Sequence, residues 1–281
     1  MKEREYLDQP IVQEFMRWAI DKIDNSGSFI HCYWFRKSKE DWSCNSIFNA
    51  YEKYSWRFHC TMPNGIKITG SSYFESKIVL DELSDILREA LKVGNERLLK
   101  DASISVLSWG GVTPSNKIKV EDHENYLNYI VEVINRLNPA TVSLDDNFSE
   151  LILNSGFTKI YSLLIEDFII YDGRVGAAFG YLVRLFLEDL SEDTLPNVLH
   201  FYYGIEKGST YANSRRNPSN MQYKFKRLSN NSLTHIDNNI RANWVSKHIA
   251  QNSRFAKLEN PVRALESALF MIGYDVSLSR T

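Results

Sequence analysis

A single change of periodicity constrains this chain more than any other feature. Up to about residue 73 short β-rich runs are interleaved with helix. From Phe74 onward apolar residues recur three and four apart almost to the end, the spacing of one buried helix face. A chain that switches in this way cannot form a large parallel sheet or a sandwich. It must fold as a mainly α, α+β protein with a small antiparallel sheet near its N-terminus. Ser28–Phe35 (SFIHCYWF) reads as strand. Trp56–Cys60, then Asn64-Gly65, then Ile66–Thr69 reads as a hairpin, because Asn-Gly between alternating runs suits the left-handed positions of a tight turn. The spacing predicts helices over 5–24, 74–93 with Gly94 as C-cap, 121–137, 146–154, 158–166, 172–189, 237–251 and 261–272. The natural division lies between 1–73, a helix plus the β-containing part, and 74–281, the helical region, with both parts sharing one core.

Composition narrows the function classes. The chain has 281 residues, 43% of them hydrophobic and 24% charged, so it can bury a core without disulfides or metal and is not a disordered tract. Cys32, Cys44 and Cys60 make an odd count with no Cys-x-x-Cys pair, and neither His31-Cys32 nor His59-Cys60 has neighbours at ligand spacing. No disulfide framework, metal or cofactor is therefore expected. A polar N-terminus and the lack of any run of about 18 apolar residues predict a cytoplasmic protein with no membrane contact. The net charge of −2 excludes a uniform basic coat but not a local one. Residues 206–227 supply such a patch. Lys207, Arg215, Arg216, Lys224, Lys226 and Arg227 face the single acid Glu206, with Tyr211, Tyr223 and Phe225 interleaved. Cations neutralise phosphates and aromatics stack on unpaired bases. The same segment also suits a solvated loop. Gly111–Lys117 offers amides and a lysine to a phosphate. Arg241 either contacts phosphate or pairs with Asp237 four residues earlier.

The stretch that carries chemistry runs from Leu151 to Ala178. It reads as a short helix, a tight turn at Ser155-Gly156, a second helix with Thr158 and Lys159, an apolar link, and a third helix opened by Asp172. An aspartate there caps the first free amides and is favoured by the helix dipole. Gly173, Gly176 and Gly180 follow within eight residues. Each costs about 1 kcal/mol relative to alanine, so a close approach by backbone or ligand is expected.

Gly156-Phe157-Thr158-Lys159 followed by Tyr171-Asp172-Gly173-Arg174-Val175 resembles the helix–hairpin–helix DNA glycosylases, in particular the 8-oxoguanine DNA glycosylase fold proteins of bacterial antiphage operons. The resemblance covers roughly residues 100–275, with Ser108-Trp109-Gly110-Gly111, Arg216-Asn217-Pro218-Ser219 and Leu265–Tyr274 as further pieces. It implies a helix–hairpin–helix glycosylase fold and a DNA N-glycosylase, with or without β-lyase activity, acting on a modified or flipped base in antiphage defence. DNA, and proteins of a defence operon that includes cyclic-nucleotide signalling, are the partners it implies. Asp172 would stabilise the sugar cation or activate water, and Lys159 would be the amine nucleophile. Gly156 and Thr158 would join Lys207, Arg215, Arg216, Lys224, Lys226, Arg227 and Arg241 on nucleic acid. Trp109, His200, Phe201, Tyr202 and Phe270 would line the base pocket, or simply form core. Two features favour a different class, a non-catalytic nucleic-acid-binding module or an accessory partner-binding protein. The hairpin has one glycine where repair enzymes have Gly-x-Gly, and Lys159 and Asp172 lie only 172 − 159 = 13 residues apart.

Overall fold

The computed structural model describes residues 1–36, 38–206, 208–210, 214–228 and 232–277. The elements in chain order are α1 (Glu3–Leu7), α2 (Pro10–Asp24), β1 (His31–Phe35), β2 (Glu40–Cys44), α3 (Ile47–Glu52), β3 (Phe58–Thr61), β4 (Lys67–Gly70), α4 (Tyr73–Lys92), α5 (Glu96–Trp109), α6 (Thr113–Glu121), α7 (Tyr126–Arg136), α8 (Phe157–Leu164), α9 (Gly173–Leu190), α10 (Ser232–Gln251) and α11 (Pro261–Ile272). The fold is mainly helical, with two small antiparallel sheets. Among the described residues no helix is long and apolar enough to cross a membrane, and no group of three or more His, Cys, Asp or Glu side chains is placed to hold a metal.

The chain divides into two compact units, one of residues 1–54 and 171–281, the other of residues 55–170. This differs from a single break near residue 73. The two sheets, adjacent in sequence, fall into different units, so the β-rich stretch is not one structural part.

In the first unit α11 packs against α3, α9 and α10, and α2 packs against α3, α9 and α10. The helix expected over 5–24 breaks at Asp8-Gln9, because Pro10 opens α2 and disfavours helical backbone before it. β1 and β2 pair with Tyr33 opposite Trp42, their rings stacked at 4.7 Å. The Tyr33 hydroxyl and His31 Nε2 donate to the carbonyls of Met271 and Ile272, tying the sheet to the end of α11. Burial pulls the His31 imidazole down to about 4.

Helix α9 explains its own glycines. A Cβ at Gly176 would lie 2.2 Å from the Tyr202 carbonyl oxygen, one at Gly173 would lie 3.0 Å from Gly204, and one at Gly180 would lie 2.6 Å from Pro218. Tyr202 and Gly204 thus lie with their backbone on the bare face of the helix, and Pro218 with its ring. The reason for the small residues is protein packing. Their helix-propensity penalty, together about 3 kcal/mol, is offset by the packing around it, since nearby Phe201, Tyr203 and Phe225 are almost completely buried and each such side chain contributes about 1.5–3 kcal/mol.

In the second unit α5 packs on α4, α6, α7, α8 and β3. α4 starts on a capping box, with Ser72 accepting from the Glu75 amide and Glu75 accepting from the Ser72 amide, and ends before Gly94 at φ 70°. The β3–β4 hairpin forms as the sequence predicts, in register Phe58↔Gly70 to Thr61↔Lys67. Its turn closes through the Gly65 amide on the Met62 carbonyl, with Gly65 at φ 85°. Three expectations change. α5 has no counterpart among the predicted helices. Residues 113–117 are the first turns of α6 rather than a phosphate-cradling loop. The helix expected over 146–154 is absent, because Ser143, Asp146 and Asn147 side chains take local amides (Asp146 Oδ2 from Ser143 at 2.8 Å, Asn147 Oδ1 from Ser149 at 3.0 Å) and so compete with helical bonding.

Gly176→Ala is expected to destabilise the protein by about 2 kcal/mol or more, despite the better helix propensity of alanine, because backbone must move to admit the methyl. An unchanged denaturant midpoint, with unchanged slope, would contradict this packing.

Candidate functional site

The first-unit site is built at the start of α9. Asp172 has extended backbone, and its Oδ1 accepts the amides of Arg174 at 2.8 Å and Val175 at 3.0 Å. The carboxylate is thereby fixed at the helix N-terminus, half-buried. Two residues on, the Arg174 side chain is buried. Its guanidinium lies 4.1 Å over the Phe270 ring and 4.9 Å over Tyr274. Burial first, then the neighbouring Arg216 charge, pull this guanidinium down to about 10, while Asp172 acts in the opposite sense. The site thus gathers a capped carboxylate, two guanidiniums and two half-exposed to buried rings. Phe270 and Arg216 were expected by sequence in different roles. Arg174 and Tyr274 belong to quoted motifs but carried no assignment, because nothing in their spacing reveals that a cation will stack on those rings.

The basic segment is folded back onto α9 by a clamp on Glu206. The Ser214 hydroxyl donates to Glu206 Oε2 and the Arg215 amide to Oε1, while the Arg215 guanidinium pairs with Glu206 at 3.4 Å and with Asp275 at 3.9 Å. Burial opposes ionisation of Glu206, but these hydrogen bonds and the Arg216 charge prevail and hold its carboxyl at about 2. Arg215 is accordingly neutralised within the protein and also lies 5.1 Å from the Tyr274 ring. Arg216 follows it, half-buried, with its Nη1 3.2 Å from where a Gly173 Cβ would be.

Two runs of this segment alternate like strands and bond to one another, the Tyr203 amide on the Lys226 carbonyl at 3.2 Å and the Leu228 amide on the Tyr203 carbonyl at 2.8 Å. The alternation sorts the candidate residues. Phe201, Tyr203, Tyr223 and Phe225 turn into the core, with the Phe201 ring tilted against that of Phe179 at 4.6 Å. His200 and Tyr202 are half-buried, and Lys224, Lys226 and Arg227 are exposed. This corrects two expectations: Phe201 is core rather than pocket wall, and Tyr223 and Phe225 do not present rings beside the lysines. Tyr202 does, with Lys226 Nζ 5.8 Å from its ring. His200 Nε2 accepts the Lys226 amide at 3.0 Å, which requires a neutral imidazole. Burial, then the charges of Lys226 and Arg241, push that imidazole down to about 4. For Arg241 the pairing alternative holds. It is buried, bonds the Val198 carbonyl at 3.1 Å and pairs with Asp237 at 2.8 Å, so it braces 197–200 and is not presented to a phosphate. Lys207 and Tyr211 lie outside the described residues.

The second-unit candidates surround the turn before α8. Asn154 Oδ1 accepts the Gly156 and Phe157 amides, the Thr158 amide bonds the Asn154 carbonyl and the Lys159 amide bonds the Gly156 carbonyl. All four amides are satisfied internally, and Thr158 is fully buried. Gly156 and Thr158 are therefore not offered to a backbone phosphate. Gly156 is glycine because Asn116 of α6 approaches to 2.3 Å of its absent Cβ. Lys159 is buried, its stem lies on Gly110 (Cδ 2.4 Å from an added Cβ), and its Nζ donates to the Ser155 carbonyl at 2.7 Å. Trp109, adjacent to Gly110, is buried with its ring 6.5 Å from Phe58. The structure thus joins the Trp109-Gly110 and Gly156–Lys159 motifs in one unit. Asp172, His200, Tyr202 and Phe270 belong to the other.

No family model matches the sequence, and no curated protein or solved structure shows a significant match to it.

His200 gives a pH signature. Its folded value of about 4 lies below the ordinary 6.5, so the unfolded chain takes the proton first. Its contribution to stability is complete above about pH 6.5 and is lost as pH falls toward 4. His200→Gln, whose amide oxygen can still accept the Lys226 amide, should make the fall in stability across that window shallower. An identical slope in both proteins would show that His200 is not held neutral.

Proposed function

We propose that the protein is a DNA N-glycosylase-like enzyme that acts on a modified or flipped base, in an antiphage-defence setting. The setting rests on the sequence resemblance alone. The observation that carries the activity is Asp172, held by two amides at the start of α9 and flanked by the basic segment that folds onto the same helix. Breaking an N-glycosidic bond builds positive charge on the sugar, and a carboxylate fixed beforehand stabilises that charge without reorganising. Asp172 serves this purpose, or directs a water onto the anomeric carbon while the departing base takes up a proton. This hydrolytic route uses first-unit residues alone. The exposed Lys224, Lys226 and Arg227 supply phosphate neutralisation, and Tyr202 a face for a base.

The resemblance adds an amine route through Lys159. There the nitrogen would bond the anomeric carbon as the bond to the base breaks. Ring opening would then give an iminium that borohydride reduces to a stable adduct. A second reading, a nucleic-acid-binding module without catalysis, is favoured by one observation: the Lys159 amine is already committed to the Ser155 carbonyl.

Asp172→Asn separates capping from chemistry, because asparagine caps as well as aspartate. The variant should keep its thermal midpoint and lose base release by about a hundredfold or more, the scale of removing one preorganised electrostatic group. Full release by Asp172→Asn would remove Asp172 from the mechanism. Borohydride trapping that survives in the parent protein and disappears in Lys159→Ala would establish the amine route. Base release without a trapped adduct would leave hydrolysis.

A further inference from the structure

Of the aromatic rings on the runs 200–203 and 223–227, Phe201, Tyr203, Tyr223 and Phe225 enter the core, while His200 and Tyr202 stay half-buried at the surface. Tyr202 is nonetheless pinned by its backbone on both sides. Its amide donates to Asn238 Oδ1 at 2.8 Å, and its carbonyl accepts the Tyr171 hydroxyl at 2.7 Å. The parallel bridge between Tyr203 and Arg227 sets Tyr202 beside Lys226. The Lys226 amide is fixed in turn on His200 Nε2 at 3.0 Å. A ring and an amine are thus carried side by side on anchored backbone, with Lys226 Nζ 5.8 Å from the Tyr202 ring.

The charge is not neutralised by the protein. Elsewhere surface cations pair with acids one turn away, Lys77 with Asp81, Lys100 with Glu96, Lys117 with Glu121 and Arg136 with Glu132. Lys224 donates to the Asn220 carbonyl at 2.6 Å. Among the described residues neither Lys226 nor Arg227 pairs with an acid, and the charges acting on the His200 ring between them and the core, those of Lys226 and Arg241, are both positive. A cation over an exposed ring is a weak contact, and the flexible lysine stem lets the amine move from the ring to a phosphate. Every nucleobase has a face that can stack on such a ring. A matched duplex keeps those faces stacked on one another and presents only base edges and phosphates, for which two free cations are a small complement.

We infer that Tyr202 and Lys226 receive an unpaired nucleobase and the phosphodiester next to it, so that this face takes single-stranded or locally unpaired nucleic acid in preference to matched duplex. Tyr202 supplies the stacking face and Lys226 the counter-charge, with Arg227 next in the chain for a further phosphate. His200 is a positioning residue, since its ring nitrogen holds the Lys226 backbone. The inference deepens the proposed function and rests on that reading for the choice of nucleic acid as the ligand.

The test titrates the full chain by fluorescence polarisation against a labelled single strand of unmodified mixed sequence, the same strand in matched duplex, and that duplex with a central bulge. The parent protein should bind the single strand about tenfold or more tighter than the matched duplex, the scale of stacking one base, with the bulged duplex between them. Tyr202→Leu should erase the preference, and Tyr202→Phe, which keeps the ring, should retain it. Lys226→Gln should weaken single-strand binding and reduce the slope of log affinity against log salt by about 0.7. The parent's preference and the Lys226→Gln slope decide the matter even if Tyr202→Leu loses stability. Equal or tighter binding to matched duplex would overturn the inference, as would a preference intact in Tyr202→Leu, a salt slope unchanged in Lys226→Gln, or no binding to any of the three at low salt. Base release is read separately. A single-strand preference that depends on Tyr202 in a protein that releases no base keeps this surface and discards the glycosylase reading. Base release by a protein that shows no such preference does the reverse.

Discussion

The first unit depends on backbone meeting backbone along α9. Gly173, Gly176 and Gly180 strip one face of the helix of side chains, and Tyr202, Gly204 and Pro218 fill the vacated space. Gly273 repeats the device at the end of α11, where an added Cβ would lie 1.9 Å from the Arg174 carbonyl oxygen. Interiors are packed too densely to accommodate such displacements. These glycines therefore determine where a long stretch without regular secondary structure can lie, and with it where its charges are carried.

That constraint sets the chemistry available. Because the runs 200–203 and 223–227 are extended, their side chains alternate: Phe201, Tyr203, Tyr223 and Phe225 enter the core, while Lys224, Lys226 and Arg227 reach solvent. Because the segment returns to Gly173, Arg216 comes to the same helix start that Asp172 caps. The Glu206 clamp pairs with Arg215, and the Arg216 charge also acts on its carboxylate. Among the described cations of this segment, Arg215 is paired with Glu206 and Asp275, Arg216 is half-buried, and Lys224, Lys226 and Arg227 are exposed.

Much of the local structure was legible from the sequence. α4, the β3–β4 hairpin, α9 with Asp172 at its cap, and α11 follow from periodicity and capping residues alone, since those signals act within a few residues. α5 is not legible from periodicity, although Asn95 caps it through the Leu98 amide and Leu99, Ala102 and Val106 make a buried stripe. Its serines dilute the apolar pattern. The site was legible only as a set of residue types. Whether Arg241 meets a phosphate or Asp237, whether Phe201 faces a pocket or Phe179, and whether Gly156 serves a ligand or Asn116 are tertiary outcomes. In each case the protein's own packing or a local charge partner occupies the residue. The glycines of α9 do mark a close approach, and the approaching groups are the backbone of Tyr202 and Gly204 and the ring of Pro218.

The central claim is that the capped carboxylate at the start of α9 does chemistry on a nucleoside rather than merely closing a helix. The most direct measurement is mass-spectrometric detection of free base after the parent protein is incubated with duplexes carrying a panel of modified bases. The account predicts release of at least one free base, leaving an abasic strand. Salt-sensitive binding to these duplexes with no base released from any of them would contradict it.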